Sequence, residues 1–168
     1  MNLFVDRMPS PIGTLLLVWQ GNALRALDFG DNKERFERIL RIGYAGAPLE
    51  PARAPAAIRD PIEAYFQGHV TAIDGVTVEA NGTPFQQQVW KALRHIPVGT
   101  TMSYGELAAR IGRQGASRAV GLANGSNPVG IVVPCHRVIG SNGALTGYGG
   151  GIDRKRWLLE HERGVSNF

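Results

Sequence analysis

The 168-residue chain has a single cysteine, only four histidines, and no apolar run approaching the roughly 18 residues that a membrane-spanning helix needs. One thiol cannot form an internal disulfide. The first residues, Met1-Asn2-Leu3-Phe4-Val5-Asp6-Arg7, lack the basic-then-apolar pattern of a secretory signal. These absences together lead to the expectation of a reducing, cytoplasmic setting with no membrane partner. Acidic residues are scarce in one half only. Residues 1–80 hold 8 Lys+Arg and 10 Asp+Glu, a net of −2, whereas residues 81–168 hold 10 Lys+Arg and 4 Asp+Glu, a net of +6. The second half is therefore the candidate face for a polyanion, with simple solubility charge as the alternative. Hydrophobic content of 43% and charged content of 19% are ordinary for a globular chain, and the length suits one domain or two small ones.

In the first half, Leu3 to Met8, Thr14 to Trp19 and Ala23 to Phe29 read as strands separated by turn signals at Ser10-Pro11-Ile12-Gly13 and Gln20-Gly21-Asn22. Lys33 to Ile42 and Ile58 to Gln67 read as helices, with a Pro/Ala/Gly-rich connector from Gly46 to Pro55. A boundary is expected near Asn81-Gly82. Beyond it Thr83, Pro84 and Gln86 form an N-cap, an N1 proline and a capping box, and Ser103 with Glu106 repeats the box. The next helix is expected over Ala116 to Asn124, with Ala116, Ala119, Val120 and Ala123 on its core face, and Asp153 is expected to cap a last helix. Two short helices joined by Arg113-Gln114-Gly115 form a helix-turn-helix pattern. The second is rich in small residues, Ala116, Ser117, Ala119, Gly121 and Ala123, which would let it approach a nucleic-acid backbone, with Arg118 as its one cation. An ordinary helix hairpin is the alternative.

The lone cysteine sits in Ile131-Val132-Val133-Pro134-Cys135-His136-Arg137-Val138. The β-branched run reads as a buried strand that Pro134 ends, so Cys135 is expected where strand gives way to loop. A free cysteine is most often an inert buried thiol. The neighbouring imidazole and guanidinium lower the cost of a thiolate, and together with the Gly-rich stretch from Gly147 to Gly151 they turn the reading towards a reactive site.

Five ordered blocks carry a resemblance: Thr83-Pro84-Phe85-Gln86-Gln87-Gln88-Val89-Trp90, Ser103-Tyr104-Gly105-Glu106-Leu107-Ala108, Ser117-Arg118-Ala119-Val120-Gly121 with Asn127-Pro128, the box Pro134-Cys135-His136-Arg137-Val138, and Trp157-Leu158-Leu159 with His161-Glu162. From Thr83 to Glu162 the chain closely resembles the O6-alkylguanine-DNA alkyltransferases, also called methylated-DNA–protein-cysteine methyltransferases. The resemblance implies an α+β fold: a small N-terminal ribonuclease-H-like α+β domain over residues 1–80, then a C-terminal winged-helix-like domain with a helix-turn-helix over residues 81–168.

It further implies that Cys135 takes the alkyl group from O6-alkylguanine, and from O4-alkylthymine, irreversibly and once. His136 would act on the sulfur through water, and Glu162 would orient the imidazole. Tyr104 would donate to guanine N3. Asn127 would tie the recognition helix to the active-site segment. Ala116, Ser117, Arg118 and Ala119 would meet DNA in the minor groove, with Arg118 filling the stack left by a flipped nucleotide. Backbone groups of Val138, Tyr148, Gly149 and Gly150 would hold the base, Gly149 standing where many relatives have serine. No cofactor is implied. Some relatives carry zinc in the N-terminal domain, but with no cysteine and only His69 in residues 1–80, none is expected here. The implied partner is double-stranded DNA carrying alkylated guanine, bound by a monomer, with cooperative binding left open. Three rivals are weighed against this: a DNA-binding relative without transfer, which would lack the cysteine; a cysteine hydrolase, which would turn over; and an alkylation sensor, which would carry a further domain or thiol.

Overall fold

The computed structural model describes residues 2–164; Met1 and residues 165–168, the outer limits of the two expected domains, lie outside the described residues. The chain divides into two units, one comprising Met1–Asn81 with Pro128–Val132, the other Gly82–Asn127 with Val133–Phe168. One boundary between the two units lies between Asn81 and Gly82. The assignment of residues 128–132 departs from the expected bounds, and its cause is a backbone pairing: Leu27 N donates to Pro128 O at 2.9 Å and Gly130 N to Leu27 O at 3.0 Å.

The first unit is built on strands β1 (Leu3–Met8), β2 (Leu15–Gln20), β3 (Ala23–Phe29) and β4 (Leu49–Pro51), in the order β3-β2-β1-β4. The first three are antiparallel neighbours and β4 runs parallel to β1, the ribonuclease-H-like layout expected. The short β4 lies inside the segment read as connector. Helix α1 (Lys33–Tyr44) lays Phe36, Ile39 and Leu40 against Leu3, Val18 and Ala26, and Tyr44 Oη donates to Arg25 O at 2.7 Å. Helix α2 (Ala56–Phe66) is held to β1 by Arg59, whose Nη1 donates to Asp6 Oδ2 at 2.7 Å.

The second unit contains α3 (Pro84–Leu93), β5 (Met102–Ser103), α4 (Tyr104–Arg110), α5 (Ser117–Gly125), β6 (Val138–Ile139) and α6 (Ile152–Glu162). Both capping boxes form: Thr83 Oγ1 accepts from Gln86 N at 3.1 Å, and Ser103 Oγ from Glu106 N at 3.1 Å. Trp90 binds α3 to α5 by donating from Nε1 to Ala123 O at 2.8 Å. Its ring passes so close to the chain that a Cβ on Gly82 would lie 2.4 Å away, so only glycine fits there. Strand β5 pairs parallel with β6, Met102 opposite Val138. Among the described residues no helix is long and apolar enough to cross a membrane.

Three local expectations are corrected. Residues 131–133 are a turn rather than a strand, because Ile131 takes a left-handed φ of 70° and only Val129 bridges to β3. Helix α5 buries Val120, Ala123 and Asn124, whereas Ala119 is exposed. An alanine carries too little apolar surface to fix the phase of a helix. Asp153 does not cap α6: Gly151, at φ 97° and ψ 151°, precedes the helix in a conformation open to glycine, and Asp153 points to solvent and meets Arg156.

Candidate active site

Helix α4 and helix α5 form the helix-turn-helix pair, reversed through Gly112 and Gly115 at positive φ. Ala116 caps α5 and is half buried; Ser117, Arg118 and Ala119 are exposed at its start, and Arg118 has no hydrogen bond or ion pair with any described residue. The far end of α5 is turned inward. Asn124 Nδ2 donates to Cys135 O at 3.4 Å, and Asn127 Nδ2 donates to Val133 O at 2.8 Å. The helix end and the cysteine segment are thereby joined through two amide side chains.

Cys135 opens a single 3₁₀ turn, Cys135–Arg137, after Pro134. Neighbours in an extended segment point to opposite faces; in this 3₁₀ turn successive side chains instead diverge by about a third of a revolution. Cys135 is buried at 6% exposure, and His136 and Arg137 are more deeply enclosed.

His136 Nε2 lies 2.7 Å from Glu162 Oε2. Arg137 does not serve the sulfur, as its place in sequence suggested. It grips the same carboxylate, with Nε donating to Oε1 at 2.8 Å and Nη2 to Oε2 at 3.0 Å, while Nη1 donates to Ile96 O at 2.8 Å. Burial by itself would raise the Glu162 carboxyl. The charges and hydrogen bonds of His136 and Arg137 outweigh burial and hold it well below the ordinary carboxylate range. An ionised carboxylate only accepts, so His136 donates from Nε2, and in the neutral tautomer that keeps this bond the lone pair lies on Nδ1. Nδ1 is buried and takes no hydrogen bond from any described residue. The Tyr148 ring stands edge-on to the imidazole, 6.5 Å between centroids.

A second buried cation was not singled out in the sequence. Lys155 on α6 is fully enclosed, donating from Nζ to Val138 O at 2.6 Å and to Thr146 O at 3.0 Å. Burial pushes its ammonium below the ordinary lysine range, and Cys135 in its thiolate form pushes it partly back up. Spacing could have found it: Lys155, Leu158, Leu159 and Glu162 recur at i, i+3, i+4 and i+7 and are the buried face of α6. Asn124, in sequence only the last residue of an expected helix, is a second residue of the site that was not singled out. With Arg137 and Lys155 enclosed, two cations of the second half are unavailable to any outer face.

Val138 contributes its carbonyl to this cluster. The loop that follows returns through Tyr148, Gly149 and Gly150, and Gly151 N donates to Tyr148 O at 2.9 Å. Tyr104, the first residue of α4, lies against α5: a Cβ on Gly121 would meet its Cδ1 at 3.6 Å. Its hydroxyl is 2.8 Å from Thr146 Oγ1. Among the described residues no group of three or more His, Cys, Asp or Glu is arranged to hold a metal ion.

Comparison with known proteins bears on a site of this make-up. Residues 84–164 match the model of the 6-O-methylguanine DNA methyltransferase DNA-binding domain. The chain is 48% identical over 165 residues to a methylated-DNA–protein-cysteine methyltransferase of Salmonella typhimurium, covering 96% of each protein. The chain belongs to this family. A methyltransferase of the same name from Mycobacterium bovis is 51% identical over 154 residues, with 92% of this chain and 88% of that protein covered. Among solved structures, Mycobacterium tuberculosis OGT in complex with DNA matches with a TM-score of 0.83 and 48% identity, covering 96% of this chain and 93% of that one. An archaeal O6-methylguanine-DNA methyltransferase from Pyrococcus kodakaraensis, at 23% identity and TM-score 0.60, shares the fold. The names of the Salmonella and Mycobacterium bovis relatives include a protein cysteine, and the one cysteine of this chain is Cys135.

Proposed function

We propose that this chain repairs DNA by direct reversal, moving an alkyl group from O6 of guanine, and from O4 of thymine, to Sγ of Cys135. The observation that carries the reading is the buried relay beside the thiol: Glu162 fixes Nε2 of His136 at 2.7 Å and leaves Nδ1 of the next residue after Cys135 as the available base. Nδ1 takes the thiol proton through a bridging water, and Lys155 adds a positive charge that favours the thiolate. The sulfur attacks the alkyl carbon in line. The C–O6 bond breaks with its electron pair going to guanine, and Tyr104 gives a proton to N3 as that charge develops. The new thioether has no leaving group, so each molecule reacts once.

The target atom is inside the duplex, so the nucleotide must leave the stack. The exposed start of α5 meets the minor groove, Arg118 occupies the vacated position, and Tyr148, Gly149, Gly150 and the Val138 carbonyl receive the base. The protein acts as a monomer on double-stranded DNA in a reducing compartment, where a lone thiol stays available.

Intact-protein mass spectrometry after incubation with a duplex containing O6-methylguanine tests the reading. One methyl group per chain, carried on the Cys135 peptide and absent from Cys135→Ser, is the expected result. Release of more product than protein would instead make the site a hydrolase.

A further inference from the structure

Tyr104 is fixed at two points. Its ring rests on α5 at Gly121, and its hydroxyl is 2.8 Å from Thr146 Oγ1. Thr146 itself is not left to the mobility of a loop. Its carbonyl accepts from the enclosed Lys155 Nζ at 3.0 Å. The turn before it is closed by Gly140 N donating to Ala144 O at 2.9 Å and by Ala144 N donating to Asn142 Oδ1 at 3.0 Å. Its methyl packs over Gly140, where a Cβ would lie 3.4 Å from Cγ2. A β-branched side chain seated in this way has little rotamer freedom left.

We infer that Thr146 is a positioning residue for the phenol: its hydroxyl donates to Tyr104 Oη and so turns the phenol's own proton towards the ring nitrogen of the flipped guanine. The inference rests on the reading of Tyr104 as the N3 donor. A phenol has one proton, and giving it to the base leaves its oxygen to accept. A hydroxyl can reverse its donor role by rotating, so the bond can point either way before substrate arrives and points to Tyr104 afterwards. Donation into Tyr104 Oη polarises the phenol and strengthens the bond it makes to the base. Ring packing on Gly121 sets where the phenol sits, but not the rotation of its hydroxyl; Thr146 supplies that.

Thr146→Val keeps the methyl and the branching and removes the hydroxyl; Thr146→Ser keeps the hydroxyl. With protein saturating over an O6-methylguanine duplex, Thr146→Val should slow single-turnover transfer by about tenfold, the scale of one well-placed hydrogen bond, with duplex affinity and melting temperature unchanged. Thr146→Ser should restore most of the rate. In a Tyr104→Phe background Thr146→Val should cost nothing further. On a duplex carrying O6-methyl-3-deazaguanine, whose ring has a C–H in place of N3, the difference between threonine and valine should vanish. A wild-type rate for Thr146→Val beside a slow Tyr104→Phe overturns the inference and leaves the Tyr104 reading standing. A wild-type rate for Tyr104→Phe overturns that reading and the inference with it. A valine loss that persists in the phenylalanine background or on the deaza base assigns Thr146 to packing alone and also overturns the inference.

Discussion

Glu162 shows how one side chain joins fold and chemistry. It accepts from His136 and in two places from Arg137, all three groups being buried. A carboxyl lowered on folding contributes fully above its unfolded value of about 4.3, and the contribution drains away as pH falls below that value. Glu162→Gln leaves the Arg137 guanidinium enclosed without a counter-charge, a loss on the order of 3–5 kcal/mol. Chemical denaturation should show a large deficit for the variant at neutral pH that narrows as pH falls from about 4 towards 2, because there the unfolded wild-type chain takes up the proton that its folded carboxylate still refuses. A deficit independent of pH would detach the carboxylate charge from the stability of this cluster. The sequence made His136 and Glu162 legible as partners only through family resemblance. Twenty-six positions separate them, and no local spacing announces the pair. The role of Arg137 was misread for the same reason: neighbours in sequence suggested the sulfur as its target, and the carboxylate from α6 is what the fold delivers.

At the level of elements, helix α5 divides its work along its length. Its first turn presents Ser117, Arg118 and Ala119 to the outside, and its last turn sends Asn124 inward to the cysteine segment. Arg118→Ala should therefore slow repair of an O6-methylguanine duplex by at least about tenfold while sparing the reaction with free O6-benzylguanine, since a free base pays no unstacking cost. Parallel rate measurements on the two substrates check this, and equal losses would give Arg118 a role within the pocket. Elements with explicit end signals were legible from sequence. The capping boxes at Thr83 and Ser103 and strands β1 and β3 fall where the residues place them. The apolar run at residues 131–133 was not, because its β-branched side chains suit burial in any backbone, and the left-handed Ile131 is imposed by the surroundings.

For the whole molecule, the reaction product has its own stability. Residues 131–138 are all buried, and an alkyl group on Cys135 adds volume to a packed site at a cost of about 1–3 kcal/mol. It also removes the thiolate form of Cys135, whose charge would offset burial of the Lys155 ammonium. Both effects bear on the hydrogen bonds that Asn124 and Asn127 make to this segment. Stoichiometrically alkylated protein should melt a few degrees below unreacted protein. The drop should grow from methyl to benzyl adducts in matched thermal scans. An unchanged melting temperature would mean that the site absorbs the adduct without strain.

The sequence by itself determined strands β1 and β3, the capped helices of the second half and the singular thiol. These follow from local chemistry: alternation, caps, turn residues and a cysteine count that needs no partner. Tertiary structure alone decided that Pro128 and Gly130 pair with Leu27 of β3, that Arg137 serves Glu162, and that Lys155 is enclosed between two carbonyls with Thr146 beside Tyr104. Each of these is a pairing of polar groups distant in sequence. Hydrophobic periodicity reports which face of an element is buried, but not which donor will meet which acceptor once it is.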